Sequence, residues 1–247
     1  MLLGTRFFRA KRAVQDHLKA RLELIVTQAL KLLSRVKIWA SCDGRHRLHA
    51  RKDLFETIIA KNGIGAELGV HKGALSGWTL RHNRPEELHL IDPWWNQPSD
   101  NWAWSKGDQS PASSGAAIIH AFSDEIEEGV VRIHAGYDTD VLCRFPDNYF
   151  DWVYLDTTHK YEDTREEMEL LLNKVKEGGV IAGDDWYENE SHIHHGVCKA
   201  VREVLSQDSS LSLAYCENHQ WAVVRDKVAD FQIHKSTSPN ERPRQVA

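Results

Sequence analysis

At 247 residues the chain is long enough for one full α/β domain with some decoration, and its 41% hydrophobic and 27% charged residues are ordinary for a globular protein. The formal net charge of -5 conceals an asymmetry: residues 1–40 hold nine Lys or Arg against Asp16 and Glu23, a balance of +7, so the remainder carries -12. Such an acidic body excludes broad nucleic-acid binding, which needs clustered cations against phosphate. No apolar run approaches the roughly 18 residues of a membrane span and no signal-peptide core follows the first charges, so a cytoplasmic protein is expected.

In the N-terminal arm, residues 1–40, Leu18, Leu22, Ile25, Ala29, Leu32 and Val36 alternate four and three apart, an a/d seam of under three heptads. A basic amphipathic helix follows from this pattern. It packs on the domain or on a second subunit of a homo-oligomer; the alternative is a membrane surface met by its basic face. Residues 41–52, SCDGRHRLHARK, read as a linker with a turn at Asp43-Gly44.

Residues 53–225 then alternate helix and strand. A helix over Asp53–Lys61 leads to a strand over Ile64–Val70, a helix over Ala74–Arg81 and a strand over Glu87–Ile91 ending at Asp92. A polar and aromatic insert, Pro93–Ser114, precedes a helix over Gly115–Ile126 and a strand over Val130–His134. Trp152–Leu155 is a short apolar run ending in Asp156, and Gly179–Ala182 is another ending in Asp184 and Asp185. Between them Met168, Leu171, Leu172 and Val175 recur at helical spacing within Glu162–Val175. A helix over Val197–Leu205 and a terminal hairpin, Leu211–Cys216 with Gln220–Arg225, close the domain. Residues 226–247, rich in Ser, Pro, Asn and Arg, read as a flexible tail. The alternation predicts an α/β fold: a doubly wound, seven-stranded, mostly parallel sheet with an N-terminal helical extension.

Ligands of such sheets bind at the carboxyl ends of the strands, where these acids lie. The first strand runs into Glu67-Leu-Gly69-Val-His-Lys-Gly73, with Glu67 where a dinucleotide fingerprint has its first glycine. A carboxylate there repels pyrophosphate and suits a cationic or hydroxyl-bearing ligand. Asp92, at the end of the second strand, is placed to accept hydrogen bonds from a ribose diol; as a structural residue it would cap the turn at Pro93.

These residues resemble those of class I S-adenosylmethionine-dependent methyltransferases, in particular the subgroup of metal-dependent sugar and macrolide O-methyltransferases. The resemblance rests on the ordered set Glu67-Leu-Gly69-Val-His-Lys-Gly73, Leu90-Ile-Asp92-Pro-Trp94, Asp156-Thr-Thr-His159-Lys-Tyr161 and Gly178-Gly179-Val-Ile-Ala-Gly183-Asp184-Asp185. It implies a Rossmann-like fold and S-adenosylmethionine as cofactor, with Glu67, Gly69 and Asp92 in contact with it. It also implies Asp156, Asp184 and Asp185 as holders of magnesium. Two places depart from the family's pattern. His71 stands where most relatives have a further glycine, and Gly136-Tyr137-Asp138 stands where relatives often have a serine near the adenine, which makes Asp138 the candidate acceptor for the exocyclic amine.

The metal reading has a physical basis of its own. Three converging carboxylates repel one another until they are protonated or bind a hard cation through oxygen. A turn at Gly183 lets Asp184 and Asp185 converge; in an extended strand they would oppose each other and one would face away. His159, in the loop after Asp156, is a candidate base, since imidazole titrates near neutrality. Asp156 is the other, with a metal lowering the acceptor hydroxyl's pKa.

The expected activity is methyl transfer from S-adenosylmethionine to a hydroxyl of a small molecule or sugar. The alternative is a non-catalytic S-adenosylmethionine-binding or scaffold module that docks a partner through the basic helix. His192, His194 and His195 read as a polar lid or turn, since a zinc site would need a further ligand. Trp94, Trp95, Trp102, Trp104 and Trp186 suit a lid over a sugar or flat ring. The four cysteines, at 42, 143, 198 and 216, show neither paired nor zinc-site spacing and are expected as free thiols.

Overall fold

The computed structural model describes residues 2–43, 46–95 and 111–225. The chain runs α1 (Leu2–Asp43), α2 (His46–Thr57), β1 (Ile64–Leu68), α3 (Ala74–His82), β2 (Glu87–Asp92), α4 (Pro111–Ala121), α5 (Ser123–Glu127) and β3 (Val131–Ala135). It continues through α6 (Asp138–Leu142), β4 (Phe150–Leu155), α7 (Tyr161–Lys174), β5 (Val175–Gly183), α8 (His195–Gln207), β6 (Leu211–Glu217) and β7 (Gln220–Arg225). The seven strands form one sheet in the order β3-β2-β1-β4-β5-β7-β6. β7 runs antiparallel to both β5 and β6, and the other pairs are parallel.

The parallel strands are apolar nearly throughout because helices cover both sheet faces. Alternate residues of one strand therefore enter different cores. Trp152 and Tyr154 of β4 join Leu54, Phe55, Trp78, Leu90 and Ile118 on one side. Val153 and Leu155 join Met168, Leu171, Ile181 and Val201 on the other. The strand order reverses between β1 and β4, so the crevice at their carboxyl ends opens where Gly69 and Asp156 meet.

Within the span expected as a linker, 41–52, α1 runs through Asp43, and α2 begins at His46 rather than at Asp53. The physical reason is packing, because Leu54 and Phe55 of α2, with Ile59 just past its end, are buried and draw the preceding turns into the same helix. The helix expected over 115–126 is divided into α4 and α5 at Phe122, which is itself buried. The Trp102 and Trp104 lid and the tail over 226–247 lie outside the described residues.

Among the described side chains of α1, those toward its end are docked. Ile38 is buried beside Gly73 and Ile118, Lys31 pairs with Asp124 at 2.7 Å, and Arg35 pairs with Glu125 at 2.5 Å. Leu18, Leu22, Ile25, Leu32 and Val36 of the seam are 49–62% exposed. Val36 and Ile38 are two residues apart, about 200° around a helix, so the seam faces away from the body. Among the described residues no helix is long and apolar enough to cross a membrane.

Candidate active site

The turn after β1 is shaped by residues in left-handed conformation: Gly69 at φ 82°, His71 at φ 54° and Gly73 at φ 74°. His71 thus adopts a backbone that glycine enters more readily, which accounts for the glycine expected at its position. The His71 N–H donates to Asp92 Oδ2 at 2.9 Å, and the Trp94 indole N–H donates to the His71 carbonyl at 3.1 Å. Asp92 at the end of β2 is therefore tied to the β1 turn across the crevice. Glu67, buried at the end of β1, accepts a 2.6 Å hydrogen bond from Ser76 of α3. Burial pushes its carboxyl up to about 8, with the Asp156 and Asp92 carboxylates adding to the rise. Asp138 begins α6, where its Oδ1 accepts the Thr139 N–H at 3.0 Å and its charge helps burial raise the nearby Glu167 carboxyl.

At the ends of β4 and β5 the acids divide into two sets. Asp184, 4% exposed, accepts from the Arg51 guanidinium and the Gln220 amide, and its Oδ1 also accepts the Asp185 N–H at 2.8 Å. Asp185 turns the other way. Its φ is 60°, it is 1% exposed, and its Oδ2 stands 3.2 Å from His159 Nδ1 without forming a well-aligned hydrogen bond. His159 is also left-handed, at φ 60°, and its Nε2 lies 3.8 Å from Asp156 Oδ1. Asp156 Oδ2 pairs with Arg51 Nη2 at 2.5 Å. Burial raises the Asp156 carboxyl above the usual range while Arg51 pulls it back. Two strained non-glycine residues side by side in one crevice fit the pattern of backbone strain kept at functional sites.

Of the expected magnesium set, Asp156 and Asp185 come together, with His159 beside them. Asp156, His159 and Asp185 present ligand atoms within 4.8 Å of one another, and they are the one such group among the described residues. Asp184 is not in it, because Arg51, Gln220 and the Asp185 amide take its oxygens. The buried, poorly bonded Asp185 oxygen fits a cation site. His194 meets His159 edge-on at 4.9 Å and His192 stacks on Tyr187 at 3.5 Å, so part of the histidine run lines the same crevice. His195 is held at the Tyr187 carbonyl, 2.9 Å away.

Arg51, Gln220 and Tyr154 were not foreseen. Arg51 precedes the buried Leu54 and Phe55 by three and four residues, the helical spacing that puts it on the same inward face. Gln220 opens β7, where its Oε1 accepts the Tyr154 hydroxyl at 2.7 Å, so a buried chain runs from Tyr154 through Gln220 and Asp184 to Arg51. A glutamine at a strand start carries no comparable signal.

Residues 66–186 match a family model described as a methyltransferase domain. A search of curated proteins returned no match. Among solved structures the chain is similar to a protein from Methanococcus maripaludis assigned as an S-adenosyl-L-methionine-dependent methyltransferase. The identity is 12% over 83% of this chain and 95% of that one, with a TM-score of 0.54. It is also similar to a Klebsiella pneumoniae protein assigned as an O-methyltransferase, at 13% identity over 82% of this chain and 90% of that one, with a TM-score of 0.50. At such identities the likeness shows a shared fold, which is the doubly wound sheet described above.

Proposed function

We propose that this chain, whose residues 66–186 match a methyltransferase domain, is a class I S-adenosylmethionine-dependent methyltransferase that moves a methyl group to a hydroxyl of a small molecule or sugar with magnesium assisting. One observation carries the reading. The acids suited to a nucleoside, Glu67 and Asp92, adjoin the acids and histidine suited to an acceptor, so closely that Asp156 and Asp92 both raise the Glu67 carboxyl. Glu67, Gly69 and Asp92 would hold the cofactor, and Asp138 its adenine. Glu67 and Asp92 accept hydrogen bonds from donors, and Gly69 leaves the backbone open to close approach. S-adenosylmethionine, when bound, supplies an electrophilic methyl group.

Methyl transfer to oxygen needs alignment and removal of one proton. His159 is oriented for the second task, since Asp185 faces its Nδ1 and leaves Nε2 directed toward Asp156 Oδ1. A hydroxyl placed in the gap between them can lose its proton to the imidazole, or to Asp156. Asp156 and Asp185 would hold magnesium, with His159 beside them. When bound, magnesium supplies a Lewis acid that lowers the pKa of a coordinated hydroxyl. The carboxylates alone would oppose a developing alkoxide by repulsion.

Two measurements test this reading. Calorimetry should show S-adenosylmethionine binding in the wild type and a loss of at least about tenfold in Asp92→Ala, the effect of one lost charge-assisted hydrogen bond. Absence of heat in the wild type would remove the cofactor. Single-turnover methylation of a panel of sugars, polyols and phenols should stop in EDTA and return with Mg2+. Full activity in chelator would remove the metal while leaving methyl transfer in place.

The exposed seam of α1 supports pairing with a second copy of the chain. In a parallel pair of these helices, Arg21 would face Val26 of the other copy and Gln28 would face Leu33, so no like charges meet across the flanks.

A further inference from the structure

Arg51 lies on α2, outside the residues that match the family model, yet its guanidinium stands in the middle of the acidic crevice. Its Nη2 reaches both Asp156 Oδ2, at 2.5 Å, and Asp184 Oδ2. Its Nε is buried without a hydrogen-bond partner, and its Cζ lies 5.7 Å from the centre of the Tyr154 ring. The guanidinium keeps its charge at every accessible pH, so this is a fixed cation placed on two carboxylates. A single nitrogen shared between two acids, with another nitrogen left unbonded, is a poor use of a five-donor fork. The arrangement neutralises charge more than it satisfies hydrogen bonds.

A divalent ion that joins Asp156 to Asp184 needs the two Oδ2 atoms that Arg51 touches. It would also stand against a like charge at close range, where screening by water is weak. With Arg51 in place, the carboxylate left for an ion beside Asp156 is Asp185, which faces His159. We propose that Arg51 is a tethered competitor of the divalent ion, and that its guanidinium, held on α2, is a charge latch which must withdraw before Asp184 can join Asp156 and Asp185 as a ligand. This rests on the metal reading given above. It assigns to the N-terminal extension a control over the acceptor half of the site.

The test uses Mn2+ titrated into the full chain, with free ion followed by electron paramagnetic resonance, in wild type and Arg51→Gln. The latch predicts at least tenfold tighter Mn2+ binding in Arg51→Gln, with its fold verified by circular dichroism. Equal or weaker binding in a folded Arg51→Gln, with the wild type still binding, overturns the latch and spares the metal reading. No Mn2+ binding by either protein overturns both. Hydrogen exchange on the wild type is independent of whether the variant folds. Saturating Mn2+ should speed exchange of the α2 amides, residues 46–57, and unchanged or slower exchange there also overturns the latch.

Discussion

A Cβ added at Gly69 would stand 2.0 Å from the Asp156 carbonyl oxygen, and the residue's φ is 82°. Both facts bear on the site, because the turn proposed to hold the cofactor crosses the strand end that carries Asp156. Gly69→Ala must push β1 from β4 as well as strain the backbone, and a loss of at least about 3 kcal/mol is expected. Urea unfolding measures it; a loss below about 1 kcal/mol would mean that the turn yields easily and that close approach to a ligand is its only demand. Glycine at this place was legible in the sequence, as were the strand-end acids. The direction of each carboxylate was not. Asp184 and Asp185 look equivalent as neighbours after Gly183, but the left-handed φ of Asp185 and the distant Arg51 and Gln220 send them apart. Such choices depend on partners far away in the chain, which local spacing does not encode.

The strands also make a polar seam at the end of the sheet opposite the crevice. His89 of β2 lies 3.0 Å from His134 of β3, and its other nitrogen lies 3.2 Å from Glu87, which also takes hydrogen bonds from Arg132 and Tyr149. Burial, and then the neighbouring His134, push His89 down to about 4. Its folded pKa is below the unfolded value near 6.5, so the unfolded chain takes up the proton first. The stabilisation is full above about 6.5 and is lost as pH falls toward about 4, on the order of 2 kcal/mol. Urea midpoints at pH 7, 5.5 and 4 should fall less steeply in His89→Gln than in wild type; parallel slopes would remove His89 as the source. Element positions were largely readable because parallel strands and amphipathic helices have distinct periods. α2 was the exception. A Gly-containing turn signal and four cations over 41–52 outweighed the Leu54 and Phe55 pair that decides the helix.

For the molecule as a whole, the proposed pairing through α1 sets how many copies work together. Its seam is apolar, regular and turned outward while Lys31 and Arg35 fasten its base. Sedimentation equilibrium should find a dimer in the wild type and a monomer in the double variant Leu22→Glu, Ile25→Glu. A wild-type monomer that floats with anionic vesicles would replace the paired helix with a membrane-surface one. The span 66–186 that defines the family ends at Trp186 and begins after α2, whereas the two side chains that steady Asp184 come from either side of it: Arg51 upstream and Gln220 downstream. The crevice is thus closed by parts that the matched span leaves out. Trimming the chain to that boundary would strip a buried carboxylate of both supports at once. A piece that keeps both supports must reach from Arg51 to Gln220, well past the matched span on either side, so the unit that is recognised and the unit that holds the crevice together have different lengths here.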